Sequence, residues 1–271
     1  KAMKSLTQLM SGATLLETLA RVESDIKSRP ADADLRAAFV QLLCLAGHWP
    51  RAKTQLKSWL ALKPQAKPTV TLLEQAITAE IQRAAVFEGL AMPRMPGEAF
   101  AWAEALLKAL RKEHAEEADE LRAAAFAAAQ ANPARVTMQD EQTQTVAWLI
   151  DGDGRLGPIC ELIVNGHYTW LPFAAVREMR FQPPASVTDL VWRHTAVTLI
   201  DGSEQVCQLP VRYPFADTAE DNLRLAAVTE WTPLDDQQFI GHGQKTWLSE
   251  EQDFPLLSLA HIVFAAEADD E

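Results

Sequence analysis

The spacing of apolar residues changes once along this chain, and that change limits the folds open to it. Up to about residue 130 they recur at intervals of three and four, as amphipathic helices require. Beyond that point they fall in short runs separated by turn pairs such as Asp-Gly, Asn-Gly and Pro-Pro, as strands require. Asn132-Pro133 and a polar segment over 136–144 separate the two textures. The expected class is therefore α+β. A helical unit over 1–135 should precede a strand-rich unit over 136–271, the latter a small barrel or a bent antiparallel sheet.

In the first unit, Leu15, Leu19, Val22 and Ile26 mark a helix over about 13–28 that Pro30 stops. Asp32 is placed to cap the next helix, whose inner stripe is Leu35, Phe39, Leu42 and Leu43 and which Gly47 ends. A third helix follows Pro50, with Ala52, Leu56, Trp59 and Leu60 inward. Pro64 and Pro68 bracket a break, after which Val70, Leu73, Ile77, Ile81 and Ala84 define a longer helix to about Phe87. Gly89 to Gly97 reads as a loop, and helices follow at Trp102–Leu110 and Ala118–Ala125. Pro30 and Pro64 stand 34 positions apart, with Gly47, Ala52, Leu56 and Trp59-Leu60 between them. That spacing resembles one tetratricopeptide repeat, in which small residues let paired helices approach and a proline ends the second.

In the second unit, Thr145–Ile150 reads as a strand leading into Asp151-Gly152-Asp153-Gly154. Ile159–Val164 and Tyr168–Phe173 flank Asn165-Gly166, a pair suited to the two positive φ angles of a type I′ hairpin. Val176–Phe181 is a further strand, and Ala196–Ile200 with Gln205–Val211 a second hairpin. Leu225–Trp231 fits either a strand or a short helix. Lys245–Leu248 and Leu256–Phe264 close the unit, and the acidic tail Glu267–Glu271 is expected to fray.

The charge is unevenly placed. Residues 1–135 hold 18 Lys+Arg against 15 Asp+Glu, and residues 136–271 hold 7 against 22. An acidic second half repels a phosphate backbone, which argues against nucleic acid; it either steers a basic protein partner or serves only to maintain solubility. No apolar run approaches the roughly 18 residues of a membrane helix, and no signal-peptide core follows Lys1-Ala2-Met3-Lys4. Cys44, Cys160 and Cys207 are far apart in apolar surroundings, which suits reduced thiols in a cytoplasm.

Asp151 and Asp153 invite a calcium loop. That loop needs an oxygen ligand at its fifth position, glycine at its sixth and a carboxylate at its twelfth. This chain has Arg155, Leu156 and Leu162 there. The neighbouring Arg155 favours instead a structural turn built on Asp151, Asp153 and Gly157, continued by the Asn165-Gly166 turn. The alternative is a small-molecule or catalytic pocket around Asp151, Asp153 and Arg155. The six histidines show no zinc spacing, and Gly152, Gly154 and Gly157 do not form a dinucleotide fingerprint. No cofactor or metal is expected. Most of the eight tryptophans should be core, with Trp170 and Trp192, near polar turns, the two best placed for an interface.

As an ensemble these motifs resemble the ImpE/TagJ family, accessory proteins of bacterial type VI secretion. The resemblance rests on Pro30-Ala31-Asp32-Ala33, Leu35-Arg36, Gln41-Leu42-Leu43-Cys44, and Gly47 with Trp49. It continues through Asp151, Asp153, Arg155-Leu156-Gly157-Pro158 and Ile163-Val164-Asn165-Gly166 with Tyr168, Trp170 and Pro172-Phe173. Asp189-Leu190-Val191-Trp192, Arg212-Tyr213-Pro214 and Thr229-Glu230-Trp231 complete it. The resemblance implies a cytoplasmic, non-enzymatic adaptor. Its partner would be a helix of the small contractile-sheath subunit, and it would be linked to the AAA+ ATPase that disassembles contracted sheaths. Arg155, Tyr168, Trp170, Trp192, Arg212 and Tyr213 are the residues expected to touch a partner.

Overall fold

The computed structural model describes residues 2–96 and 100–265. Gly97, at the end of the expected loop, and the tail Glu267–Glu271 lie outside the described residues. The helical half contains α1 (Ala2–Met10), α2 (Leu15–Ser28), α3 (Ala33–Ala46), α4 (Trp49–Leu62), α5 (Lys67–Phe87), α6 (Ala101–Ala109) and α7 (Ala118–Ala128). Local chemistry sets several of the ends. Thr14 and Asp32 accept the backbone N–H groups of Glu17 and Leu35, capping α2 and α3. Gly47 ends α3 in the left-handed region at φ 75°. The break between Pro64 and Pro68 is a 3-10 turn at Pro64–Ala66, and Pro68 then sits in the first turn of α5, where a missing N–H costs nothing. Helix α1 has no counterpart in the sequence reading. Helices α2 to α5 pack each on the next, the arrangement that repeat spacing implies.

The strands are β1 (Ala134–Met138), β2 (Thr143–Val146), β3 (Ile150–Asp151), β4 (Ile159–Val164), β5 (His167–Pro172), β6 (Val176–Phe181) and β7 (Trp192–Leu199). Then come β8 (Glu204–Pro210), a short helix α8 (Asp221–Arg224), β9 (Thr229–Pro233), β10 (Phe239–Gly243), β11 (Thr246–Leu248), β12 (Asp253–Pro255) and β13 (Leu259–Phe264). Eight strands form one antiparallel sheet in the order β2-β1-β13-β6-β7-β8-β4-β5, with two small sheets, β10-β9 and β12-β11-β3, beside it. The main sheet ends on β2 and β5, which do not pair with each other, so it is an open sheet and not a barrel. The β4–β5 hairpin turns through Asn165 at φ 50° and Gly166 at φ 82°, the type I′ geometry that pair favours. Arg94 lies along the outer edge of β5, its N–H on the Tyr168 carbonyl and its carbonyl on the Trp170 N–H, both at 2.9 Å.

Two expected strands divide. Thr145–Ile150 splits into β2 and β3 in different sheets, because the Glu250 carboxylate takes the Ala147 N–H at 2.6 Å and interrupts the ladder. Leu225–Trp231 contributes neither a single strand nor a helix: α8 ends before it, Ala226 turns the chain at φ 55°, and β9 begins at Thr229.

The chain passes from helix to strand between Ala128 and Ala134, yet the interior does not divide there. Phe39, Leu42, Ile77 and Leu106 of the helices share one core with Leu156, Ile159, Ile163, Tyr168, Trp170 and Trp192. Strand β4 is buried on both faces. Ile159 and Ile163 join that shared core, whereas Cys160 and Leu162 join a second core with Phe173, Trp247 and Phe254.

Candidate functional site

Glu161 occupies the middle helix-facing position of β4, between Ile159 and Ile163. An ionised carboxylate at such a position requires compensation from its neighbours. Arg83 of α5 supplies a two-pronged contact, Nε to Oε2 at 2.7 Å and Nη2 to Oε1 at 2.9 Å. Lys245 adds Nζ to Oε1 at 2.6 Å, and the Tyr168 hydroxyl donates to Oε2 at 2.5 Å. The indole N–H of Trp170 in turn donates to the Tyr168 hydroxyl at 2.8 Å.

Lys245 also reaches Asp151 Oδ2 at 2.7 Å, while Asp151 Oδ1 accepts the Tyr213 hydroxyl at 2.7 Å and the Asp153 N–H at 2.9 Å. Asp153 is held by Arg155 through Nε at 3.0 Å and Nη2 at 2.8 Å, and by the Gly241 N–H at 2.9 Å. The acidic turn is therefore closed by carboxylate–guanidinium bonds and is continuous with the β4 network. Gly157 completes it at φ 50°, and a side chain there would lie 2.2 Å from the Phe126 ring of α7.

On the helix side, Arg83 contacts Glu80, whose other oxygen accepts the Trp192 indole N–H at 3.2 Å. Arg83 Nη2 also donates to the Arg212 carbonyl at 2.7 Å. The Arg212 guanidinium is aimed at the end of α3. Nη1 donates to the Leu45 carbonyl at 2.5 Å and the Arg224 carbonyl at 2.6 Å, and Nη2 to the Cys44 carbonyl at 3.0 Å. Arg224 adds a bond to the Ala46 carbonyl. Two cations thus serve the orphan carbonyls and negative end of one helix.

The sequence-predicted partner residues converge on this network, but inside the protein. Tyr168, Trp170, Trp192, Arg212 and Tyr213 are all buried, and Arg155 is mostly covered, with its guanidinium 4.7 Å from the centre of the Phe87 ring. A buried side chain offers no face to a docking protein. Direct contact by these five therefore gives way to a role in joining helices to sheet. The sequence reading passed over Glu80, Arg83, Glu161, Arg224 and Lys245. A usable signal existed: Glu161 interrupts Ile-Cys-Glu-Leu-Ile-Val, and Glu80 and Arg83 fall on the inward side of α5.

The cleft that reaches Glu80, Arg83, Arg212 and Tyr213 measures about 90 Å³, well under the roughly 300 Å³ at which metabolite pockets begin. Asp151 and Asp153 are buried, and each of their oxygens accepts at least one donor. Among the described residues no group of three His, Cys, Asp or Glu is arranged to hold a metal ion. Likewise, no helix is long and apolar enough to cross a membrane.

The pKa shifts fix a pH dependence. Burial raises Glu161, but Arg83 and Lys245 outweigh it and hold the carboxyl well below the usual range. Burial lowers Lys245, but Asp151 and Glu161 overcome it and raise the ammonium above its ordinary 10.5. A depressed carboxylate gives stability that is full above its unfolded value and lost only as pH falls through the folded one. A raised ammonium gives stability that is full below 10.5 and lost as pH rises through the folded value. Asp151 acts in the opposite sense. Burial raises it against the pull of Lys245, so its charging subtracts stability as pH climbs past 3.8. Tyr168 and Tyr213, raised first by burial, add to the alkaline loss. The melting temperature should therefore be nearly level from about pH 7 to 10 and fall beyond. A Lys245→Met variant should melt lower throughout and show a shallower alkaline fall, and identical alkaline slopes in the two proteins would contradict the assignment.

Comparison with known proteins places this geometry among relatives. The family model described as ImpE protein matches residues 143–263. A Pseudomonas aeruginosa protein described as type VI secretion system accessory component TagJ is 36% identical over 263 residues, spanning 95% of this chain and 90% of that one. The crystal structure of protein VPA1032 from Vibrio parahaemolyticus superposes with a TM-score of 0.85 at 25% identity, covering 98% of this chain and 99% of the other.

Proposed function

We propose, from the premise that this chain belongs to the ImpE/TagJ family of type VI secretion accessory components, that it is a non-enzymatic adaptor of the contractile sheath. In this reading it binds a helix of the small sheath subunit and couples it to the AAA+ ATPase that recycles contracted sheaths. The observation that carries the reading is the relationship to TagJ along nearly the whole of both chains. The helical layer supports it, because α2 to α5 pack each on the next, and stacked helices of this kind are a common platform for a peptide or helix. The charged network supports the non-enzymatic part, because its carboxylates and cations are engaged with one another and with backbone. A cytoplasmic location suits Cys44, Cys160 and Cys207, all buried free thiols.

Titration calorimetry with the purified small sheath subunit, and then with a peptide of its helix, tests the proposal. Saturable one-site heat is expected with both. Absence of binding to the whole subunit would remove the adaptor reading.

A further inference from the structure

Beside the network, which it meets at Arg224 and Ala46, a groove of about 510 Å³ runs between the start of α2, the end of α3 and the loop over 216–221. Its floor is apolar: Leu15, Leu19 and Ala46 are all buried there. Leu16 stands at its rim and is 73% exposed, among the most exposed large apolar side chains described. The opposing wall carries Asp217, Glu220 and Asp221. Asp221 Oδ2 accepts the Leu15 N–H at 2.8 Å, which fixes the loop against α2 and keeps the groove formed. Neither Asp217 nor Glu220 enters an ion pair among the described residues.

The charge balance of the groove identifies its occupant. Two basic side chains line it, against the three carboxylates of Asp217, Glu220 and Asp221. The Arg224 guanidinium is buried against the carbonyls of Ala46, Asp217 and Ala219 and pairs with none of the three. Burial lowers His48 below its ordinary 6.5, with Arg224 and Arg51 adding to the effect and Asp217 opposing it. One guanidinium against three carboxylates leaves the wall net acidic. An anionic ligand at the α2 N-terminus is excluded on the same grounds, because Asp221 and Thr14 already accept the Leu15 and Glu17 N–H groups. An apolar floor beneath a net acidic wall, with Asp217 and Glu220 in no ion pair, fits leucine-type anchors on one face of a helix with lysine or arginine beside them.

We propose that this groove is the docking site for a basic amphipathic helix of a protein partner, with Leu16 as its exposed apolar contact and Asp217 and Glu220 as its charge selectors. The proposal deepens the adaptor reading and rests on it for the identity of the partner.

The experiment uses the full chain, its Leu16→Asp variant and its Asp217→Lys/Glu220→Lys variant, with circular dichroism to show that each folds. Because the substituted side chains lie at the groove's rim and wall, outside the buried network, native spectra are expected. The small sheath subunit is titrated first. Each variant should bind at least tenfold more weakly than the parent, and the charge variant should lose most of the salt dependence. If the subunit binds all three proteins alike, the groove assignment falls and the adaptor reading stands. If the subunit does not bind the parent, the adaptor reading falls, and a model helix of leucine and lysine is compared with its leucine–glutamate counterpart. Selective binding of the lysine helix, lost in Leu16→Asp, upholds the groove. Equal binding of the two helices, or none, overturns it.

Discussion

Replacing Glu161 with alanine is expected to lower stability by about 3–5 kcal/mol, the range found when one member of a buried ion pair is removed. The cost arises less from the lost bonds than from what remains. Arg83 and Lys245 would face each other across a dry interior with one carboxylate fewer between them, and the Tyr168 hydroxyl would lose its acceptor. In a chain of this size the melting temperature should drop by roughly 6–20 °C. The replacement Glu161→Gln supplies the control. It keeps an acceptor for the Tyr168 hydroxyl and nearly the same volume while removing the charge, so it should cost less than Glu161→Ala. Thermal melts of the parent and the two variants decide the matter. An alanine variant that melts within 2 °C of the parent would show that Glu161 carries little of the burden.

The second large effect is expected at Arg212. Arg212→Ala should cost about 3–5 kcal/mol, as the carbonyls of Cys44, Leu45 and Arg224 lose their donor together, and Arg212→Lys about 2–3 kcal/mol as several charge-assisted bonds are lost. Lysine keeps a charge, and burial lowers Arg212 itself only to about 10, so the site remains cationic at neutral pH in the parent. What lysine lacks is the planar fork that meets the carbonyls of Cys44, Leu45 and Arg224 at once. Chemical denaturation of the three proteins measures both values. A lysine variant as stable as the parent would mean that charge at the end of α3 suffices and that fork geometry is unimportant.

Much of the architecture was legible because it is local. The caps at Asp32 and Gly47, the break at Pro64, the Asn165-Gly166 turn and the strand Val176–Phe181 each follow from residues adjacent in sequence. The candidate site was legible only in part. Asp153 with Arg155 was readable as a turn, since its partners lie two residues apart. Arg83 and Glu161 are separated by 78 positions, and Lys245 and Asp151 by 94, distances at which no spacing rule operates. Tyr168, Trp170 and Trp192 looked like interface residues because aromatics near polar turns resemble hot spots. Their polar atoms instead serve buried carboxylates. The choice between the two expected forms, barrel or open bent sheet, was beyond the sequence, since closure depends on whether β2 and β5 meet, and they do not.

The sharing of one interior by both halves has a consequence in time. On the ribosome α2 to α5 emerge first, with Phe39, Leu42 and Ile77 awaiting Ile159, Ile163 and Trp170. Arg83 of α5 has only Glu80 beside it, and the Leu45 and Ala46 carbonyls ending α3 lack their cations, until Glu161, Arg212, Arg224 and finally Lys245 are synthesised. Closing contacts over such separations is slow, and the waiting surface is sticky. Folding of this chain is thus set to finish only after Lys245 has left the ribosome, with the apolar side of the helices uncovered in the interval.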